Sequence, residues 1–189
     1  YLFNPALLGI AFLVVSYPTL LFDENPWVPV TGYEQPTVLE LVKEEGGIDV
    51  IESVGYSYWS MFFGDQPGPI GVVSPLGAVL GVVFLIWTGV ASWRVVFGAM
   101  IGLIVTALLF NTMAPDDPLF SVPWYWQVAM GGVMFGIAFI ATDPVAGPIT
   151  NPGRWAFGLV VGVLTVMIRV ANPAYYEGVL FAILLASVF

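Results

Sequence analysis

The sequence predicts an all-α polytopic membrane protein, a multi-helix bundle in which some helices are broken or partial. Apolar residues make up 59% of the 189 residues and charged residues only 9%, whereas soluble domains carry roughly 25% charged residues. Long apolar runs follow one another, and polar, proline-rich stretches interrupt the last third of the chain. Irregular backbone inside a bilayer is tolerated only where it is buried in protein or lines a cavity.

The apolar runs define the expected helices in chain order. They cover residues 5–22, 74–90, 93–112, 124–142 and 155–170, and a further run begins near Gly178. A helix needs about 20 residues to cross the hydrocarbon core, so the third and fourth runs are long enough and the first, second and fifth are marginal. The interruptions read ATDPVAGPITNPGR and RVANPAYYEG. We expect re-entrant or broken helices around them.

These runs divide the chain into three regions. Residues 1–22 form a first membrane segment, 23–73 an acidic insert, and 74–189 a membrane helical bundle. The insert holds nine acidic residues and a single basic one, Lys43, which is typical of a cap outside the membrane. Because the chain begins with Tyr1 and ends within an apolar run, we expect it to be part of a longer protein.

The few basic residues predict the orientation. Arg94 separates the second and third runs, and Arg154 separates the fourth and fifth. Because positive loops stay in the cytoplasm, both arginines are expected there, together with Asn4. The acidic insert and the loop at Asp117 then face outward.

The composition excludes several kinds of site. The chain contains no cysteine and no histidine, which excludes thiolate iron–sulfur clusters, Cys/His zinc sites and His-ligated haem within this sequence. The formal net charge of −9 argues against nucleic acid as a partner.

Asp143 is the sharpest candidate for a functional residue. It follows an apolar run and precedes Pro144, and a carboxylate at a membrane helix end is costly unless it is solvated or paired. It is either part of a site or a helix-end group that caps backbone N–H groups or pairs with Arg154. Arg169 and Glu177 flank the second interruption, and we expect them to pair across it.

Two other polar residues have simple structural interpretations. Asn4 precedes Pro5 at the start of the first run, as a helix N-cap would. Thr37 is followed three residues later by Glu40, so the pair is typical of a capping box.

The residues quoted above also match a known family. The stretch WYWQVAMGGVMFGIAFIATDPVAGPITNPGRWAFGLVVGVLTVMIRVANPAYYEG closely resembles the B-subunit family of the sodium-pumping NADH:quinone oxidoreductase, and NPALLGIAFLVVSYP matches it too. ATDPV and IRVANPAY are the specific motifs. The D subunit of the Rnf complex is a more distant relative. The resemblance implies a ten-helix membrane subunit with two urea-transporter-like repeats, of which this chain corresponds to the C-terminal half.

The resemblance also implies a function. Members of the family carry electrons from NADH to quinone and couple this to sodium export, together with other membrane subunits. The implied cofactors are FMN, joined through its phosphate to Thr37, and non-covalent riboflavin near Asn4 and Asp143. Asp143 is also an implied entry point for Na⁺, a hard cation that prefers oxygen ligands. Lipid and quinone are the implied small partners.

The sequence departs from the family at the FMN motif, which leaves alternatives open. The family pattern Asp-Gly-Tyr-Ser-Gly-Ala-Thr reads Thr-Gly-Tyr-Glu-Gln-Pro-Thr at residues 31–37. A carboxylate at Glu34 would repel the FMN phosphate, and Pro36 lacks an N–H that could bind it. A second hypothesis is therefore a relative that has lost covalent FMN and serves as a scaffold or accessory subunit. A third is a small-solute channel lined by the helix breaks.

Overall fold

The regular elements of the described residues are helices. The computed structural model describes residues 3–17, 38–42, 48–53, 55–66, 68, 71–115, 117–171 and 178–188, and no strand occurs in these ranges. The elements are α1 (Pro5–Ser16), α2 (Val38–Leu41), α3 (Ile48–Ser53), α4 (Tyr58–Phe63), α5 (Pro75–Trp87), α6 (Trp93–Met113), α7 (Trp124–Ala129), α8 (Val133–Phe135), a π-helical turn (Gly136–Ile140), α9 (Asn151–Ala171) and α10 (Val179–Ala186). The prediction of a helical protein is confirmed.

Two helices within the described ranges are long and apolar enough to cross a membrane. They are α6 and α9, with 21 residues each and mean hydropathies of 2.1 and 1.7. α6 matches the predicted third run closely. α9 begins at Asn151, earlier than predicted, because the Thr150 hydroxyl accepts a hydrogen bond from Gly153 N at 3.2 Å and caps the helix. Part of the first proline-rich interruption is therefore helical.

α6 and α9 pack with their backbones in direct contact. Gly98 and Gly102 of α6 face Gly158 and Gly162 of α9, and a Cβ added at any of the four would collide with backbone of the opposite helix. At Gly98, for example, it would lie 2.9 Å from Trp155 O. Small residues let membrane helices approach this closely, so these glycines determine the centre of the bundle.

The fourth apolar run is broken, although we expected a continuous span over 124–142. α7 ends at Ala129, Met130 is extended (φ −82°, ψ 132°), and Gly131 has φ +63°. Glycine adopts this left-handed backbone without a Cβ clash, which allows the chain to turn. The chain resumes in α8 and the π-helical turn, where Ala141 N donates to Gly136 O at 2.8 Å across five residues.

Two polar side chains bind the carbonyl groups at this interruption. Arg169 of α9 is 6% exposed and donates from Nη1 to Gln127 O (2.8 Å) and Gln127 Oε1 (3.0 Å), and from Nη2 to Met130 O (2.7 Å). Gln66 donates from Nε2 to Ala129 O at 3.2 Å. The carbonyl groups at the end of α7, which no helical turn can satisfy, therefore have side-chain donors.

Buried apolar side chains form two clusters. The larger lies between α1, α5, α6, α8, the π-helical turn, α9 and α10, and includes Leu7, Val82, Ala99, Leu103, Ile137, Val161, Val179 and Ile183. The second joins the helices of the insert to α7 and includes Val38, Leu41, Ile51, Met61, Val122, Trp126 and Met130. The described part of the insert thus packs on one end of the bundle through the broken segment.

Candidate functional site

The candidate site lies where α1 begins, close to the loop that joins the π-helical turn to α9. Asn4 caps α1, because its Oδ1 accepts hydrogen bonds from Ala6 N (2.9 Å) and Leu7 N (3.4 Å). Pro5 occupies the first helical position, where its missing N–H costs nothing. The predicted N-cap is confirmed, and this role leaves the amide nitrogen of Asn4 available as a donor.

That amide nitrogen binds Asp143. Asn4 Nδ2 donates to Asp143 Oδ2 at 2.7 Å, and the other carboxylate oxygen, Oδ1, accepts from Val145 N at 3.0 Å. The structure therefore brings together two of the predicted site residues, which lie 139 positions apart. Each carboxylate oxygen can accept a further hydrogen bond or bind a cation, because an ionised carboxylate has about four acceptor positions.

A cavity of about 180 Å³ lies beside Asp143. Its wall includes Asp143, Gly147 and Arg154 on one side, and Ser92 of the α5–α6 turn on the other. The Ser92 hydroxyl is buried and finds no hydrogen-bond partner within the described part of the chain. The residues that line the cavity thus include an acidic, a basic and a hydroxyl side chain, which suits a small polar ligand or the polar end of a larger one.

Arg154 does not pair with Asp143. Its Nε donates to Pro148 O at 3.1 Å, and the described ranges contain no ion pair between these two residues. The Arg154 guanidinium instead fixes the loop before α9. The alternative interpretation of Asp143 as a partner of Arg154 is therefore wrong, whereas its role in accepting a local N–H group, that of Val145, is confirmed.

The predicted cytoplasmic arginines lie at the same end of the bundle. Trp93 and Trp155 meet edge to face with ring centroids 5.7 Å apart, which joins the beginnings of α6 and α9. The Arg94 guanidinium lies 4.7 Å from the centroid of the Trp93 ring. Arg94 and Arg154 therefore share one end of the molecule with the Asn4–Asp143 pair.

Aromatic side chains surround Tyr58 in the insert. Its ring meets those of Tyr125 (5.6 Å) and Trp126 (5.9 Å) edge to face. Burial, and secondarily the nearby Tyr125, raise the pKa of Tyr58 above its ordinary value of 10.0. The cluster attaches α4 to the start of the broken segment.

Other predicted residues fall outside the described ranges. They are Thr37 and Glu177. Conversely, Gln66 and Gln127 carry the contacts at the helix interruption, and sequence reasoning missed them. For Gln127 the signal was a neutral polar residue within the apolar motif WYWQVAM, a pattern that also fits an ordinary surface residue. Gln66 lies in the polar stretch GDQPG, where a glutamine gives no signal of burial.

The described residues form helices without strands, and α6 and α9 are long and apolar enough to cross a membrane, which is consistent with an all-α membrane protein. The NQR2, RnfD, RnfE family model matches residues 1–189, and the chain belongs to this family. It is 44% identical over 185 residues to the B subunit of the Na⁺-translocating NADH-quinone reductase of Azotobacter vinelandii, and 44% identical over 190 residues to that of Klebsiella pneumoniae. The identity to the corresponding protein of Pseudomonas aeruginosa is 41% over 187 residues.

The chain spans about half the length of these relatives. The matches cover 97–98% of the chain but 46% of each of the three relatives. The family resemblance seen in the sequence is confirmed over nearly the whole chain.

Proposed function

We propose that this chain is the flavin-binding membrane part of a Na⁺-translocating NADH:quinone oxidoreductase, and that the Asn4–Asp143 end of its bundle binds riboflavin. The single observation that supports the binding site is the 2.7 Å hydrogen bond between these two residues, which lie 139 positions apart in the sequence. It creates a polar position at one end of the helix bundle, whereas the polar contacts of Arg169 lie at the opposite end of α9. A bound flavin would supply electron transfer.

The residues present fit the polar end of riboflavin. The ribityl chain carries hydroxyl groups that can donate to Asp143 and accept from Ser92 or Arg154, all of which line the cavity. The cavity volume of about 180 Å³ is below the range of roughly 300–1,000 Å³ typical of pockets that enclose a whole ligand. The chain's own residues are therefore proposed to hold the ribityl hydroxyls.

Asp143 is also the proposed entry point for Na⁺. Its carboxylate oxygens keep acceptor capacity, and carboxylates bind hard cations through oxygen. In the proposed topology, Arg94 and Arg154 keep this end in the cytoplasm of a bacterial inner membrane, and the acidic insert faces the periplasm. The urea-transporter-like repeat, the neighbouring membrane subunits, lipid and quinone belong to the same proposal.

Flavin content of matched variants tests the riboflavin site. Asp143→Ala is compared with Asp117→Ala, because the Asp117 carboxylate makes a similar turn contact, accepting from Leu119 N at 2.9 Å in the α6–α7 loop. Riboflavin extracted from the denatured protein should be present in the wild type and Asp117→Ala, and lost in Asp143→Ala. Full riboflavin in Asp143→Ala, or none in the wild type, would contradict the proposal.

Whether Thr37 carries covalent FMN needs a separate measurement. The redox function predicts that intact-mass spectrometry gives a mass increase of one FMN, which disappears in Thr37→Ala. The replacements at Glu34, Gln35 and Pro36 favour the alternative function, a family member that has lost FMN and acts as an accessory subunit. An unmodified mass together with no extractable flavin would establish that alternative over the redox function.

A further inference from the structure

The interruption after α7 presents several oxygen atoms to one side chain. Gln127 O, Gln127 Oε1 and Met130 O all lie within 3.0 Å of the Arg169 guanidinium nitrogens. These atoms are neutral oxygens at the C-terminal end of a helical segment, where the backbone dipoles leave partial negative charge. In membrane proteins with discontinuous helices, unwound carbonyl groups and such C-terminal ends coordinate Na⁺.

Here the position is filled by the protein itself. The Arg169 guanidinium is permanently charged, 6% exposed, and presents several donors in a fixed plane. Arg169 lies 15 residues after Arg154 on the same helix, so about 22 Å of helix separates it from the Asp143 cavity. It therefore takes no part in the proposed flavin site.

Gln66, which belongs to the insert, binds a further carbonyl group at the interruption after α7. Its Nε2 also donates to Val73 O at 2.8 Å, in addition to Ala129 O, and the side chain is 3% exposed. The oxygens of residues 127, 129 and 130 thus all have a donor on this chain. A free cation could bind these oxygens only by displacing the Arg169 guanidinium.

We propose that the oxygens of Gln127 and Met130 form a cation-binding site, and that Arg169 occupies it as a covalently tethered cation. The guanidinium holds the two halves of the broken segment together and closes the interruption to mobile cations. Sodium that enters at the Asp143 end does not pass through this interruption. The statement about sodium rests on the proposed Na⁺ entry at Asp143, whereas the cation site itself depends on neither that entry nor flavin binding.

Chemical rescue tests the proposal. Arg169→Ala should lower the unfolding temperature of the detergent-purified protein by roughly 5 °C or more, since three oxygens lose their donor. Millimolar guanidinium, far below denaturing concentration, should restore at least half of this loss. Arg94→Ala is the control, because the Arg94 guanidinium lies 4.7 Å from the centroid of the Trp93 ring and has no part in the proposed site, and guanidinium should leave it and the wild type unchanged. Absence of rescue, or equal stabilisation of the control, would overturn the proposal.

Two further variants decide the question if Arg169→Ala does not fold. Arg169→Lys keeps the positive charge, whereas Arg169→Gln keeps only amide donors. A cation site requires Arg169→Lys to unfold at the higher temperature of the two. If Arg169→Gln is equally stable or more stable, the position needs hydrogen bonds but no cation, and the proposal fails.

Discussion

Replacing Gly162 with alanine tests the central helix contact. The new Cβ would lie 2.6 Å from Leu103 N and closer still to Ala99 O, whereas ordinary contact begins near 3.4 Å. Both neighbours are backbone atoms, so α6 and α9 must separate by at least 0.8 Å (3.4 − 2.6). Forced separation of a well-packed contact costs about 1–3 kcal/mol.

Gly9 provides the matched control. A Cβ added there meets nothing within 4 Å, so Gly9→Ala makes no collision. Both variants gain the same helix propensity, about 1 kcal/mol, because both glycines lie inside helices. The difference between their free energies of unfolding therefore isolates the collision, and we expect Gly162→Ala to be less stable by about 1–3 kcal/mol.

The assay is SDS titration of detergent-purified protein, followed by tryptophan fluorescence. Gly162→Ala should unfold at a lower SDS fraction than the wild type, and Gly9→Ala at an equal or higher fraction. Equal midpoints for the two variants would refute the argument that backbone contact at these glycines determines the bundle.

Three other predictions concern polar and aromatic contacts. Asn4→Ala removes both the α1 cap and the hydrogen bond to Asp143, and should lower the free energy of unfolding by about 1–3 kcal/mol. Asn4→Asp keeps the cap but places two carboxylates together, so it should lower the free energy of unfolding more. Thermal unfolding at neutral pH compares the two variants. Gln66→Leu leaves Ala129 O without its donor and should increase amide hydrogen exchange around the helix interruption relative to the wild type. Burial raises the pKa of Tyr58, so the contribution of its neutral hydroxyl to stability should be present below pH 10.0 and fall as the pH rises further. The free energy of unfolding of the wild type, relative to that of Tyr58→Phe, should therefore fall when unfolding is measured at alkaline pH.

Uniform hydropathy explains what the sequence could and could not predict. The run at 93–112 has polar residues and an arginine at its beginning, and the structure begins α6 at the same residue, Trp93. The run at 124–142 has no polar residue at the actual break, Met130–Gly132, so hydropathy alone indicated one continuous helix. Two adjacent glycines were the only local signal, and glycine pairs also occur in closely packed membrane helices.

The candidate site was predictable in its residues but not in its contacts. Asn4 and Asp143 were named from motifs, yet their hydrogen bond depends on how α1 packs against α10 and the rest of the bundle, which no local pattern encodes. The partners of Arg169 were missed for the same reason. The acidic residue near Arg169 in sequence, Glu177, drew attention to an ion pair, whereas the carbonyl groups that Arg169 binds belong to residues 39 and 42 positions away and carry no sequence signal.

The hydrogen bond between Asn4 and Asp143 has a consequence for biosynthesis. Its partners are 139 residues apart, so at 5–20 residues per second roughly 7–28 s pass between their syntheses on the ribosome. During that time α1 must remain in the translocon or in lipid while the side-chain amide of Asn4 lacks its acceptor, Asp143. Mutations that slow insertion of the broken segment should therefore expose α1 to membrane quality-control proteases, even when the finished protein is stable.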